Sequence, residues 1–210
     1  MKKIVLIGYG GHAESISDSI AHMGEYEIVG YTDVERGNAK TSCPYLGTDE
    51  RLPDIFAGGV GCAAICVGYL GGTGSRDRLY KEVKEIGFRL PVIIDKSAIL
   101  AGDVRIGEGT YVGKGAILNA KSEVGKMCII NSGSVVEHET RVGDFSHVSV
   151  GAVLCGNVMV KDHVFVGANA TVIQGVSIES GSRIGAGSTV LKDVPGDTTV
   201  YGVWNRGTGL

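Results

Sequence analysis

From residue 94 onward the hydrophobic positions fall on a fixed six-residue period. Ile94, Leu100, Ile106, Val112, Leu118, Val124, Ile130, Val136, Val142, Val148, Leu154, Val160, Val166, Val172, Ile178, Ile184 and Val190 follow one another without a break in register. The fourth residue after each is small or β-branched, from Ala98 and Val104 through Ser122, Thr140 and Ala170 to Val194. A period of six is neither that of an amphipathic helix nor that of a half-buried strand, so the pattern is an internal repeat. One aliphatic side chain enters the interior for each short strand and corner, and three such units close a triangular coil of about eighteen residues. The small fourth residue fits a crowded interior corner. Glycines directly after the aliphatic residue (Gly107, Gly113, Gly125, Gly143, Gly167 and Gly185) are expected where the chain turns tightly. The segment predicts a parallel β-helix of five to six turns by that count.

Residues 3–95 obey a different grammar. KIVLIG (3–8), EIVGYTD (27–33), CAAICVG (62–68) and PVIID (91–95) read as strands. HAESISDSIAHMG (12–24), a short segment near Asp49–Phe56, and SRDRLYKEVKEIG (75–87) read as helices. Strands alternating with helices, one of them uniformly apolar, predict a small α/β domain with a parallel sheet. The expected division is 1–93 for this Rossmann-like domain and 94–210 for the β-helix.

Composition narrows the function more than the fold. The 210 residues carry a formal charge of −3 and no long Lys/Arg run, which argues against a nucleic-acid partner. The 34 glycines are spread at intervals, as many tight turns require. Cys43, Cys62, Cys66, Cys128 and Cys155 are odd in number and show no zinc spacing, so reduced thiols and a cytoplasmic location are expected. MKKIVLIGYGG is too short an apolar run for a signal peptide, and no stretch has the length of a membrane span.

Two constellations carry candidate chemistry. His138 lies between Glu137 and Glu139. A histidine beside a carboxylate is suited to general-base work near neutral pH, because the carboxylate holds the tautomer and stabilises the imidazolium. Alternation along the chain puts both glutamates on one face, so spacing does not choose between them. At the other end, Gly8-x-Gly10-x-x-Ala13 follows a strand, with Asp33 downstream. That spacing lets backbone approach a pyrophosphate at a helix N-terminus. The first domain is too short for the second mononucleotide half of a nicotinamide site, whereas a nucleotide-sugar offers the same pyrophosphate and ribose.

The hexads, together with GYGGHA (8–13), YTD (31–33), VEHE (136–139) and FSHVSVGA (145–152), resemble the sugar acetyltransferases of the sialic acid and bacillosamine pathways. The resemblance implies a left-handed β-helix that binds acetyl-CoA, a Rossmann-like domain that binds a nucleotide-sugar, and a homotrimer with sites between neighbouring prisms. It implies that His138 and Glu139 perform the proton chemistry and that His147, Ala168 and Ala186 contact acetyl-CoA. It assigns Gly10, Gly11, His12, Asp33 and Arg76 to the nucleotide-sugar. No metal is expected, and no cysteine stands beside a base, so direct transfer is expected without an acyl-enzyme. Two stretches depart from the family pattern: GYLGGTGS (68–75) after the third strand and GVWNRG (202–207) near the C-terminus. The expected reaction is N-acetylation of a nucleotide-linked amino sugar. The alternatives are O-acetylation of a sialic-acid-type sugar, a β-helix carbonic anhydrase with a zinc site shared between subunits, and a non-catalytic nucleotide-sugar-binding scaffold.

Overall fold

A computed structural model describes residues 1–36, 42–69 and 74–205. The chain separates into two compact units, one from Met1–Gly68 with Gly74–Lys96, the other from Ser97 onward together with Tyr69.

The first unit is a parallel sheet with helices. Strand β1 (Lys2–Ile7) lies between β2 (Tyr26–Thr32) and β3 (Cys62–Ile65), and both pairings are parallel. Ile4, Val5, Leu6 and Ile7 are all buried, as a central strand covered on both faces must be. Helix α1 (Gly11–Met23) buries Ala13, Ile16 and Ile20, and Gly24 ends it in the left-handed conformation at φ 71°. A short helix α2 (Leu52–Ala57) precedes β3. Helix α3 (Ser75–Ile86) buries Leu79 and Val83 and stops at Gly87 with φ 108°.

The strand expected over 91–95 is not part of this sheet. Past β3 the sheet continues instead through Arg89, which bridges Cys62, accepts from the Ala63 N–H at 3.0 Å and donates to the Gly61 carbonyl at 3.0 Å. Pro91 has no N–H to extend that ladder, and only Ile93–Ile94 forms a strand beyond it, two residues long.

The second unit is the β-helix. Two-residue strands pair in parallel with the strands eighteen residues before and after: Ile129 faces Tyr111 on one side and His147 on the other. Three faces result. One runs through Tyr111, Ile129, His147, Phe165 and Arg183, the next through Ile117, Val135, Val153 and Thr171, and the third through Arg105, Glu123, Arg141 and Met159. Every hexad aliphatic from Val112 to Val190 is buried, and so is every fourth residue after it from Thr110 to Val194. The hydroxyls of Thr110, Thr140, Ser146 and Ser182 tie successive coils together. Thr140 Oγ1 donates to the Cys155 carbonyl at 2.8 Å and accepts from the Val158 N–H at 3.2 Å.

The glycines directly after the aliphatic residue serve a purpose other than turning. A Cβ on Gly107 would lie 2.5 Å from Lys126 N, and one on Gly143 would lie 2.6 Å from Lys161 C. These glycines are required because stacked coils approach closely there. The left-handed turn falls two residues later, at Gly109, Gly115, Gly151 and Gly187, and also at Lys121, Glu139, Phe145, Asn157 and His163, with φ between 54° and 73° across the repeat corners from Gly109 to Gly175.

Candidate active site

His138 stands at the corner between the second and third faces. Its ring lies over Gly156, one coil further on: a Cβ at Gly156 would be 2.5 Å from Cε1 and 2.6 Å from Nε2 of the imidazole. His138 Nδ1 is 3.7 Å from Glu139 Oε2. Glu137 faces elsewhere; its Oε2 accepts from Asn119 Nδ2 at 3.0 Å and from the His138 main-chain N–H at 3.1 Å. The geometry therefore separates the two glutamates that sequence spacing leaves equivalent. Glu139 reaches the imidazole, and Glu137 caps the corner.

Glu139 itself has φ 60°, with Lys121 (φ 58°) and Asn157 (φ 56°) at the same corner in the neighbouring coils. Coil stacking holds these corners: the Glu139 N–H donates to Ala120 O and the Asn157 N–H to His138 O, both at 2.9 Å. The amides of Ala120 and His138 are each capped by the preceding side chain, Asn119 and Glu137. At Gly156 the preceding residue is Cys155, and among the described residues its amide carries no such cap.

His147 is placed differently. It projects from the middle of the first face, is buried, and sits edge-on to Phe165 with ring centroids 5.3 Å apart. Its Nδ1 lies 2.6 Å from the Tyr69 carbonyl, which can only accept, so Nδ1 carries the proton. Nε2 then accepts from Asn131 Nδ2 at 3.2 Å. The amide orientation agrees, since Asn131 Oδ1 accepts from the Ser132 N–H at 2.8 Å. Tyr69 is fixed a second time, by its phenol donating to the His163 carbonyl at 2.7 Å. This clasp joins residues 78 and 94 apart in sequence, and nothing in the sequence signals it. Residues 70–73 of the departing loop lie outside the described residues, as do 206 and 207 of GVWNRG. Within GVWNRG, Trp204 Nε1 donates to Asp193 O at 3.1 Å. Ala168 and Ala186 share one corner in successive coils, where the Gly187 N–H donates to Ala168 O at 2.8 Å.

In the first unit, Gly10 is the N-cap of α1, in extended conformation. A Cβ on Gly10 or Gly11 would meet nothing within 4 Å, so this turn faces open space. Asp33 at the end of β2 accepts from the Tyr9 N–H at 2.8 Å and the Val34 N–H at 2.7 Å, which braces the glycine turn. His12 is half-buried on the first turn of α1. A cavity of about 480 Å³ lies against another face of α1, lined by Tyr9, Glu14, Ser17, Asp18, Ile28 and residues 42–44; His12 is not among its lining residues. Arg76 is buried, and its Nη1 donates to the carbonyls of Ile65 (3.4 Å) and Val67 (2.5 Å), securing the chain that leaves β3.

A parallel β-helix of hexapeptide coils with a histidine–glutamate corner, preceded by a parallel α/β unit with a glycine turn, defines a class of acyltransferase. The comparisons are specific. Residues 3–83 match the PglD N-terminal domain, and residues 157–192 match the bacterial transferase hexapeptide (six repeats). None of the curated proteins matches the chain. The structure of perosamine N-acetyltransferase from Caulobacter crescentus, PerB, in complex with CoA and GDP-perosamine is 33% identical over 95% of this chain and 93% of that one, with a TM-score of 0.89. The acetyltransferase domain of PglB from Neisseria gonorrhoeae is 28% identical over 100% of both chains, with a TM-score of 0.89. The same domain in complex with acetyl coenzyme A is 29% identical over 94% of this chain and 95% of that one, with a TM-score of 0.84. The chain belongs to the hexapeptide-repeat, left-handed β-helix family of sugar acetyltransferases, within the group that carries a PglD-type N-terminal domain.

Proposed function

We propose that the protein transfers the acetyl group of acetyl-CoA to the amine of a nucleotide-linked amino sugar, with His138 as general base. The observation that carries this is the His138 imidazole, held over Gly156 with Glu139 at its Nδ1 edge. The PerB complex with CoA and GDP-perosamine supports the two substrates.

The free amine attacks the thioester carbonyl, and a C–N bond forms. The proton leaving nitrogen goes to Nε2 of His138, the atom remote from Glu139, and the carboxylate stabilises the imidazolium that results. The tetrahedral oxyanion needs an N–H donor, and the uncapped Gly156 amide is the one we assign. Collapse breaks the C–S bond, and His138 returns the proton to the departing thiolate. Ala168 and Ala186 offer a small-residue corner to the CoA chain. We assign His147 to the acyl end of acetyl-CoA through Asn131, whose second amide hydrogen is available when the first is given to His147 Nε2. Gly10, Gly11 and His12 take the nucleotide-sugar, with Asp33 and Arg76 bracing that turn and the end of β3.

We assign the active assembly to a homotrimer, which light scattering tests directly. None of the five cysteines forms a disulfide, which fits a reducing cytoplasm. No helix among the described residues is long and apolar enough to cross a membrane.

The deciding experiment follows free thiol release from acetyl-CoA with a panel of acceptors: UDP-4-amino sugars, GDP- and dTDP-amino sugars, and free and CMP-linked sialic acid. Release with an amino-sugar nucleotide that is abolished in His138→Ala is the expected result. Release with sialic acids alone would mean O-acetylation. Tight nucleotide-sugar binding with no release would mean a scaffold.

A further inference from the structure

Lys121 occupies the corner one coil before Glu139 and shares its left-handed backbone, φ 58° against 60°. Its ammonium lies 3.9 Å from Glu139 Oε1, while the other oxygen of the same carboxylate faces His138 Nδ1 at 3.7 Å. The carboxylate thus has the ammonium at one oxygen and the imidazole at the other. Contacts between coils hold the two corners: the Lys121 N–H donates to the Asp103 carboxylate Oδ1 and the Glu139 N–H to Ala120 O, both at 2.9 Å. We infer that Lys121 is a positioning residue for the His138–Glu139 pair, one that turns the carboxylate toward the imidazole. The inference rests on the assignment of His138 as base.

The neighbouring charges are otherwise engaged. A cleft of about 670 Å³ beside this corner is lined by Asp103, Arg105, Lys121, Glu123, Glu139 and Arg141, together with residues 157 and 159. Arg105 and Arg141 both turn to Glu123, at 3.8 Å each. Asp103 holds the Lys121 amide, and Glu137 is bonded to Asn119 and to the His138 main chain. Among the described residues, Lys121 is the lysine or arginine in ion-pair contact with Glu139. A pair this exposed adds little to folding stability. Its consequence lies in orientation and in the charge felt at the ring.

The sign follows from charge alone. An ammonium beside Glu139 partly neutralises it; without the ammonium, the full carboxylate charge acts on the ring when it takes up a proton. The test measures pH profiles with acetyl-CoA and the most active amino-sugar nucleotide of the panel above. In Lys121→Met the acidic limb of kcat/KM moves to higher pH, and plateau kcat falls about 3- to 10-fold as the carboxylate loses its anchor. The thermal midpoint stays unchanged, and Lys121→Arg restores most of the loss. In a Glu139→Gln background, Lys121→Met causes no further loss, because the group it orients is gone. An unmoved acidic limb, or full additivity with Glu139→Gln, overturns the inference while an inactive His138→Ala leaves the base assignment standing. Retained turnover in His138→Ala removes both.

Discussion

Gly156→Ala tests whether the stacked imidazole is the working geometry. An added Cβ would lie 2.5 Å from Cε1, 2.6 Å from Nε2 and 3.2 Å from Cδ2 of His138. Ordinary carbon contacts begin near ~3.5 Å, so the ring must withdraw by about 1 Å. It has room to do so, since the His138 side chain is 58% exposed. Gly156 is not among the positive-φ residues, so alanine meets no backbone penalty there. Stability should therefore change by only about 0.5 kcal/mol. Turnover should change far more, because a misplacement of about 1 Å at a reacting group costs roughly 100-fold, or about 2.7 kcal/mol of transition-state stabilisation. The assay is initial-rate thiol release with saturating acetyl-CoA, paired with a thermal melt of the same preparation. A kcat within about 2-fold of the parent enzyme would refute the reasoning, since proton transfer would then not depend on the ring's seat over Gly156.

Glu139→Gln should lower kcat tens-fold and move the acidic limb of kcat/KM to lower pH, because the imidazolium loses its negative neighbour; rate–pH profiles check this. Gly143→Ala should leave catalysis intact but lower the melting temperature by a few degrees. Its Cβ would sit 2.6 Å from Lys161 C and 2.7 Å from Asp162 N, and such overpacking costs about 1–3 kcal/mol. Tyr69→Phe removes the phenol bond to His163 O and should cost about 1 kcal/mol in urea unfolding. Burial pushes the Cys66 thiol from 9.0 up to about 12. The folded-state value is raised, so the associated stability is intact below pH 9.0 and declines as pH rises from there toward about 12. A thiol reagent at pH 8 should leave Cys66 unmodified in the folded protein.

The ladder was legible because it is one-dimensional. Val112, Val136 and Val166 announce themselves by period alone, and the parallel β-helix follows without knowledge of any partner. The roles of the glycines were not legible in the same way. Gly107 and Gly143 carry the visible motif, yet their constraint comes from a neighbouring coil eighteen residues away. The left-handed corner accepts Lys121, Glu139 or Asn157 as readily as Gly109, so it leaves no residue signature. Of the strand expected over 91–95 only Ile93–Ile94 forms, since Pro91 has no N–H to extend the ladder begun at Arg89. Of the proposed site, His138 stood out in the sequence by its carboxylate neighbours, but strand alternation could not separate Glu137 from Glu139; an interaction across coils, Asn119 with Glu137, turns Glu137 aside. The Tyr69 clasp on His147 depends on a loop meeting a sheet face, a contact that no local pattern encodes.

The eighteen-residue pairing register also restricts how such a gene can lengthen or shorten. Removing one hexad between His138 and the C-terminus would keep every aliphatic residue pointing inward, yet it would rotate all later coils by a third of a turn. The Ala168–Ala186 corner would then move onto a different edge of the prism, and a well-folded protein would present the wrong surface. Removing three hexads would restore every edge and merely shorten the column. Viable length variants should therefore differ by whole coils, or carry extra residues bulging from a left-handed corner, where the ladder does not count them.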